Sequence, residues 1–261
     1  MEIRSLSEVA PDRRPPEVNE DLVLTGPDFA VVLDGATAPR GVDSGCRHTV
    51  AWLVAQLATR LATPLLTHSS APLTDLLADA ITAVRASHAD TCDITNPDSP
   101  SSTVSVVRLQ PDRVEHLVLA DSPVVMRSPD GAVTVHSDDR IDLLPDYSLE
   151  TVSRLRNHPG GFWVASTDPN AAYEAVSGTT PRADVGVVAL LTDGASRYVE
   201  RYGKTWDELL DVLTTDGPSE LIRRVRAIDA TRTRSGGKQY DDASVVLLQE
   251  RGLYEGKLGP L

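Results

Sequence analysis

Alternating hydrophobic and polar positions divide the chain into short strands and amphipathic helices. Apolar, β-branched runs bounded by turn residues predict strands at Leu22–Leu24, Phe29–Leu33, Thr103–Leu109, Val114–Ala120, Val124–Ser128, Val133–His136, Gly161–Ala165, Val185–Thr192 and Ala243–Gln249. Apolar residues at helical spacing predict helices at Asp43–Ala62, Pro72–Ala89 and Pro218–Ala230. Asp43 is the predicted N-cap of the first helix, because its carboxylate can accept a hydrogen bond from the first turn.

The order of these elements indicates antiparallel sheets. Strands follow one another from Thr103 to His136 without a helix between each pair, which disfavours a doubly wound parallel sheet. Asp130-Gly131 lies between two of these strands and predicts a hairpin turn. We therefore expect an α+β fold in which helices pack outside the sheets, with residues 1–261 forming a single domain.

Composition restricts the classes of partner and location. The 261 residues include 25 basic and 38 acidic side chains, and the resulting net charge of −13 disfavours binding to a nucleic-acid backbone. No apolar run approaches the ~20 residues of a membrane-spanning helix, and the first residues lack the pattern of a secretory signal. We therefore expect a cytoplasmic monomer that binds neither nucleic acid nor membrane.

The chain contains two cysteines, Cys46 and Cys92, which lie far apart in the sequence and form no Cys-x-x-Cys motif. This pattern favours free thiols in a reducing compartment. It also argues against a disulfide scaffold and against a thiolate metal site.

Acidic residues recur at the edges of apolar strands, in four short motifs: Asn19-Glu20-Asp21, Asp34-Gly35, Asp193-Gly194 and Asp241-Asp242. A carboxylate at the end of a buried strand is costly to desolvate unless a positive charge neutralises it. Each Asp-Gly pair alone is compatible with an ordinary tight turn. Their joint occurrence instead predicts that they converge on metal ions, and oxygen ligands without paired His or Cys select Mg²⁺ or Mn²⁺.

These motifs, in this order and strand context, resemble those of the metal-dependent serine/threonine phosphatases of the protein phosphatase 2C family. The resemblance covers most of the chain and includes the segments Ser101–Leu109 and Leu117–Ser128. In the second segment Ala120 and Pro123 stand where the family has Gly and Arg. The resemblance implies a stand-alone catalytic domain of actinobacterial type. It also implies a four-layer α/β/β/α sandwich, in which two antiparallel sheets are flanked by helices.

The resemblance assigns roles to the matching positions at the centre of the site. Asp34 would bridge two metal ions, and Gly35 would coordinate through its backbone carbonyl. Asp193 and Asp241 would hold the metal on the opposite side. Asp34 and Asp193 are thereby the expected catalytic residues.

Further acidic residues are assigned to the rim of this centre. Glu20 would serve one ion directly or through water, and Asp21 would ligate through water or support the other ligands. Asp121 matches an aspartate that helps to hold a third, weaker ion in some family members. The implied reaction is hydrolysis of phosphoserine or phosphothreonine by a metal-activated water, with two Mn²⁺ or Mg²⁺ ions as cofactors.

Two departures from the family pattern concern catalysis. Pro16 stands where the family usually has a phosphate-binding arginine, so Arg13 and Arg14 are the candidate substrate ligands. Ala36 stands where some relatives have a histidine proposed as general acid, and the nearby His48 is more typical of a capping or packing residue. A phosphorylated protein is the expected substrate. Two alternatives stay open: a pseudophosphatase acting as a regulatory binding module on the same fold, and a phosphatase of a small phosphorylated metabolite.

Overall fold

The computed structural model describes residues 1–13, 18–36, 41–232 and 238–250. Its strands are β1 (Glu2–Glu8), β2 (Leu22–Thr25), β3 (Phe29–Ala36), β4 (Ser101–Leu109), β5 (Arg113–Leu119), β6 (Val124–Arg127), β7 (Val133–His136), β8 (Val176–Pro181), β9 (Val187–Leu191) and β10 (Ala243–Gln249). Its α-helices are α1 (Val50–Leu66), α2 (Leu73–His88), α3 (Leu149–Leu155), α4 (Asp193–Glu200), α5 (Trp206–Thr215) and α6 (Pro218–Thr231). None of these helices is both long and apolar enough to span a membrane.

The strands form two antiparallel sheets with helices on their outer faces. One sheet has the order β1-β10-β9-β6-β7, and the other has the order β2-β3-β4-β5-β8. Helices α1 and α2 cover the second sheet, whereas α4, α5 and α6 cover the first. The expected α+β sandwich with an α/β/β/α layer order is therefore confirmed.

The central strand β3 shows how the sequence builds these layers. Val31 and Leu33 pack against α1 and α2, whereas Ala30 and Val32 join the core between the two sheets. Alternate residues of a strand point to opposite faces, so a run without polar residues fits a strand that is covered on both sides. The same run carries Asp34 to the end of the strand, where the layers meet solvent.

Several element predictions were wrong in detail. The segment Gly161–Ala165 forms isolated bridges instead of a strand. The first helix begins at Val50 and is capped by Thr49, whose side chain accepts a hydrogen bond from the backbone N–H of Trp52, and not by Asp43. Strands β1 and β8 were missed because each lies at a sheet edge and is not buried on both faces, so neither shows a continuous apolar run.

The cysteine spacing correctly predicted free thiols but did not reveal that the two cysteines lie close together in space. Cys46 and Cys92 are free thiols, but their Sγ atoms lie 3.5 Å apart because α1 and α2 pack side by side. His48 and His88 lie in the same cluster. Separation in the sequence therefore did not exclude a thiolate metal site.

Candidate metal centre

Asp34 and Gly35 lie near the end of strand β3, where the surrounding atoms leave no room for a side chain at position 35. A methyl group on Gly35 would lie 2.3 Å from Val50 Cγ1 and 2.7 Å from the carbonyl oxygen of Glu20. The Gly35 N–H donates a hydrogen bond to that oxygen at 3.2 Å. Glycine thus allows the Glu20 backbone to lie directly against the strand end that carries Asp34.

A second close approach brings Asp193 beside Asp241. Asp193 is the first residue of α4, and a methyl group on the next residue, Gly194, would lie 1.8 Å from the carbonyl oxygen of Asp242. Only glycine permits this contact between the start of α4 and the backbone before β10. Both Asp-Gly pairs therefore have a structural reason for their glycine, in addition to any role of the carboxylate.

Asp242 organises the backbone around Glu20. Its Oδ1 accepts a hydrogen bond from the Ala10 N–H at 2.8 Å, and its Oδ2 accepts one from the Glu20 N–H at 2.8 Å. Arg13 contacts the Glu20 carboxylate at 2.7 Å and Asp242 at 3.2 Å. The side chain of Asp242 is thus used to hold the segment that presents Glu20.

Asp21 lies under the site, between the ends of β9 and β10. Its Oδ2 accepts hydrogen bonds from Thr192 Oγ1 and Ser244 Oγ, each at 2.8 Å. Burial raises the pKa of Asp21 to about 7, and nearby carboxylates add to the shift although the two hydroxyls oppose it. The aspartate is therefore anchored to both strands of the opposite sheet.

Asp121 reaches the site from the turn between β5 and β6. The preceding residue, Ala120, has a positive φ of 66°, and its N–H donates to Asp138 Oδ2 at 3.1 Å. Burial raises the pKa of Asp121 to about 7, and the next cause is the charge of Asp193. The turn thus directs Asp121 towards the same region as α4.

The electrostatics of Asp34 indicate that these carboxylates lie close enough to repel one another. Burial raises its pKa well above the usual range, followed by repulsion from Asp21, Asp193, Asp121 and Asp241, in that order. The negative charge of Asp34 is in turn one of the causes that raise the pKa of the nearby Lys238 ammonium. The side-chain donors of this cluster are all carboxylate oxygens. These features fit Mg²⁺ or Mn²⁺ better than zinc or copper.

Basic side chains neutralise part of the site on the α4 side. Arg197 is 1% exposed and contacts Asp241 Oδ2 at 3.2 Å and Asp193 Oδ2 at 3.5 Å. Arg201 contacts Asp193 at 3.1 Å, and Lys238 contacts Asp241 at 3.1 Å. The sequence analysis did not predict these ion pairs, although Arg197 lies four residues after Asp193, the spacing of an ion pair on a helix.

The predicted substrate ligands are only partly described. The Arg13 guanidinium lies on Glu20 and Asp242, within the acidic cluster. Arg14 and Pro16 lie outside the described residues. Ala36 is exposed at the end of β3, whereas His48 points into the cluster with Cys46 and Cys92.

Comparison with known proteins identifies the family. Residues 19–226 match the family model described as protein phosphatase 2C. No curated protein sequence gives a significant match. The serine/threonine phosphatase PstP/Ppp of Mycobacterium tuberculosis is similar in structure, with 19% identity and a TM-score of 0.58 over 94% of this chain and 97% of that one.

Two further solved structures have the same fold. The catalytic domain of PstP in complex with two manganese ions has 18% identity and a TM-score of 0.56 over 94% of this chain and 96% of that one. Stp1 of Staphylococcus aureus has 13% identity and a TM-score of 0.59 over 96% of this chain and 95% of that one. The family match spans most of the chain and all the acidic motifs except Asp241-Asp242. The chain therefore belongs to the protein phosphatase 2C family of metal-dependent serine/threonine phosphatases.

Proposed function

We propose that the chain hydrolyses phosphoserine and phosphothreonine phosphomonoesters with Mn²⁺ or Mg²⁺ at the acidic cluster. The observation that carries this proposal is the convergence of Asp21, Asp121, Asp193 and Asp241 on Asp34, where repulsion between these carboxylates adds to burial in raising the Asp34 pKa. Divalent cations would offset the mutual repulsion of carboxylates crowded together in this way. The manganese bound to the similar catalytic domain of PstP supports the choice of metal.

In this proposal Asp34 and the backbone carbonyl of Gly35 would help to hold the ions at the end of β3. Asp193 and Asp241 would hold them on the α4 side, and Glu20 would do so directly or through water. When bound, the ions supply an activated water and stabilise charge on the phosphoryl oxygens.

The remaining residues position these ligands. Asp242 fixes the backbone of Glu20, with one carboxylate oxygen on its N–H at 2.8 Å. Asp21 is held by the Thr192 and Ser244 hydroxyls and is suited to accept a proton or a hydrogen bond from a ligand water. Asp121 is the candidate ligand for a third, weaker ion.

The phosphate ligand differs from the family pattern in this proposal. Arg13 holds the Glu20 carboxylate at 2.7 Å, so it must exchange that partner, or share it, in order to bind a substrate phosphate. Arg14 is the second candidate. Weak phosphate binding would appear as a high KM with a normal dependence of kcat on metal.

The test is release of phosphate from a phosphothreonine peptide in EDTA, Mg²⁺ or Mn²⁺. The wild type is compared with Asp193→Asn and with Asp184→Asn, a matched change at an exposed aspartate outside the site. Metal-dependent release that is lost only in Asp193→Asn supports the proposal. Equal release in EDTA, or full activity of Asp193→Asn, contradicts it. Parallel assays on small phosphoesters separate a protein substrate from a metabolite.

A pseudophosphatase is the second candidate, and the cations at the site favour it. Arg201 and Lys238 contact Asp193 and Asp241, each at 3.1 Å, and would compete with a metal for the same oxygens. Both side chains are more than one-third exposed, so a metal could displace them into solvent. Calorimetric binding of Mn²⁺ without turnover of any phosphoester would favour this second function.

A further inference from the structure

Four sulfur and nitrogen donors lie together on the α1–α2 side of the molecule, apart from the all-oxygen acidic cluster. The side chains are Cys46, His48, His88 and Cys92, and one ligand atom of each lies within 4.8 Å of all the others. The two Sγ atoms are 3.5 Å apart. Cys46 Sγ lies 3.7 Å from Nδ1 of each histidine, and Cys92 Sγ lies 3.5 Å from His48 Nδ1.

These distances match the edges of a zinc coordination tetrahedron. With Zn–S bonds of ~2.3 Å and Zn–N bonds of ~2.05 Å, tetrahedral angles place two sulfurs ~3.8 Å apart and a sulfur and a nitrogen ~3.6 Å apart. The observed separations lie within about 0.3 Å of these values. A disulfide would instead require the sulfurs to approach to ~2.05 Å.

The backbone holds the four donors in place from both helices. Cys46 and His48 lie just before α1, His88 is the last residue of α2, and Cys92 follows it by one turn. The Cys92 N–H donates to the His88 carbonyl at 3.0 Å. The Asp93 N–H donates to the Gly45 carbonyl at 2.8 Å, which joins the two loops.

Aromatic packing also orients the imidazoles. The ring of Trp52 stacks on His48 with centroids 4.0 Å apart and an interplanar angle of 20°, and it meets His88 at 5.3 Å and 61°. His88 is buried, and the other three donors are half-buried. The donors are therefore oriented while a path for a metal from solvent is retained.

We propose that Cys46, His48, His88 and Cys92 bind a structural Zn²⁺. Two thiolates and two imidazoles satisfy a tetrahedral ion completely, so no position is left for substrate, as in closed structural sites. Soft sulfur donors select zinc over Mg²⁺ or Mn²⁺, whereas the all-oxygen acidic cluster has the opposite preference. The two sites can thus hold different metals in the same molecule.

The zinc would clamp the start of α1 to the end of α2. His48 precedes Val50 by two residues, and Val50 Cγ1 occupies the space that a side chain at Gly35 would need. The clamp therefore fixes the helix that covers the end of β3. Its role is separate from hydrolysis, because none of its donors belongs to the acidic cluster.

The test is metal content and cobalt spectroscopy on the reduced full-length protein. We expect one zinc per chain after dialysis, and the chelated protein titrated with Co²⁺ alone should show thiolate-to-cobalt charge transfer with the strong visible bands of a tetrahedral ion. Cys92→Ser and His88→Gln should lose the zinc and weaken these bands. His158→Gln, at an exposed histidine outside the cluster, should retain both.

Asp193→Asn is the control that separates this site from the proposed phosphatase centre. It should retain one zinc per chain while losing manganese-dependent activity. The wild-type cobalt spectrum decides the matter even if a cysteine variant fails to fold. Absence of thiolate charge transfer at saturating Co²⁺, or full zinc retention in a Cys46→Ser/Cys92→Ser variant, would overturn the proposal.

Discussion

Arg197→Met tests whether the buried cation and the metal neutralise the same carboxylates. Arg197 is 1% exposed, and its guanidinium lies 3.2 Å from Asp241, 3.5 Å from Asp193 and 3.8 Å from Asp229. Methionine fills a similar volume but carries no charge. In the metal-free protein the variant leaves several carboxylates crowded together without their main buried counter-charge.

The expected loss of stability can be estimated from the removal of one partner of a buried ion pair, which typically lowers the free energy of unfolding by about 3–5 kcal/mol. A change of 1 kcal/mol moves the Tm of a domain this large by about 2–4 °C, so the metal-free variant should melt roughly 10 °C below wild type. Bound Mn²⁺ would neutralise Asp193 and Asp241 in place of Arg197. The interaction with Asp229 is still lost, but Arg226 at 3.6 Å and the Tyr202 hydroxyl continue to contact that carboxylate. We therefore expect the loss of stability to fall by at least half.

The assay is thermal unfolding in EDTA and at a fixed, saturating concentration of Mn²⁺. Arg223→Met is the matched control, because Arg223 is 67% exposed and pairs with Glu220 on the surface, where an ion pair contributes little to stability. An equal loss of Tm in EDTA and in Mn²⁺ would show that the metal does not share carboxylates with Arg197. A control variant as unstable as Arg197→Met would refute the burial argument.

Three further predictions concern the same centre. Gly194→Ala should lower the free energy of unfolding in urea by about 1–3 kcal/mol, because its methyl group would lie 1.8 Å from the Asp242 carbonyl oxygen. The same change should weaken Mn²⁺ binding measured by calorimetry, and an unchanged affinity would contradict the close approach. Asp242→Asn should lower the free energy of unfolding by about 1.5–3 kcal/mol and also lower the phosphatase activity. The aspartate accepts one backbone hydrogen bond from Ala10 and one from Glu20 on its two oxygens, and an amide, which has a single oxygen, cannot accept both. Folding raises the pKa values of Asp21 and Asp121 to about 7, so the metal-free folded state binds more protons than the unfolded chain between about pH 4 and 7. Its free energy of unfolding should therefore fall as pH rises through that window and level off above it, whereas a rise would refute these shifts.

The acidic motifs could be located from sequence because their signals are local. The apolar run of β3 is buried on both faces and ends in a carboxylate, and the repetition of such strand ends along one chain indicates a shared metal site. The sequence did not show why a glycine must follow each of these aspartates. Gly35 lies against Val50 and the Glu20 backbone, and Gly194 lies against Asp242, so each depends on a segment distant in the sequence.

Ala120 illustrates a departure that only the backbone explains. The family resemblance expects glycine there, and the observed φ of 66° lies in the left-handed region that glycine adopts without strain. An alanine in this conformation costs roughly 1–2 kcal/mol. The turn to Asp121 is nevertheless kept, because the Ala120 N–H binds the buried Asp138 carboxylate and the methyl group packs with Phe162 and Val164.

The cysteine–histidine cluster was missed because each half of it is too short to indicate a metal site. Cys46-x-His48 and His88-x-x-x-Cys92 become one donor set only after α1 packs beside α2, and the sequence separation between the halves gives no sign of that contact. The clamp and the acidic cluster are then joined through α1, since its first residue, Val50, covers the end of β3. Loss of zinc would loosen that cover and so weaken manganese binding, and by linkage bound manganese would strengthen zinc binding by the same factor. The coupling between the two metals is thus expected to be carried by the fold of α1 and not by any shared ligand.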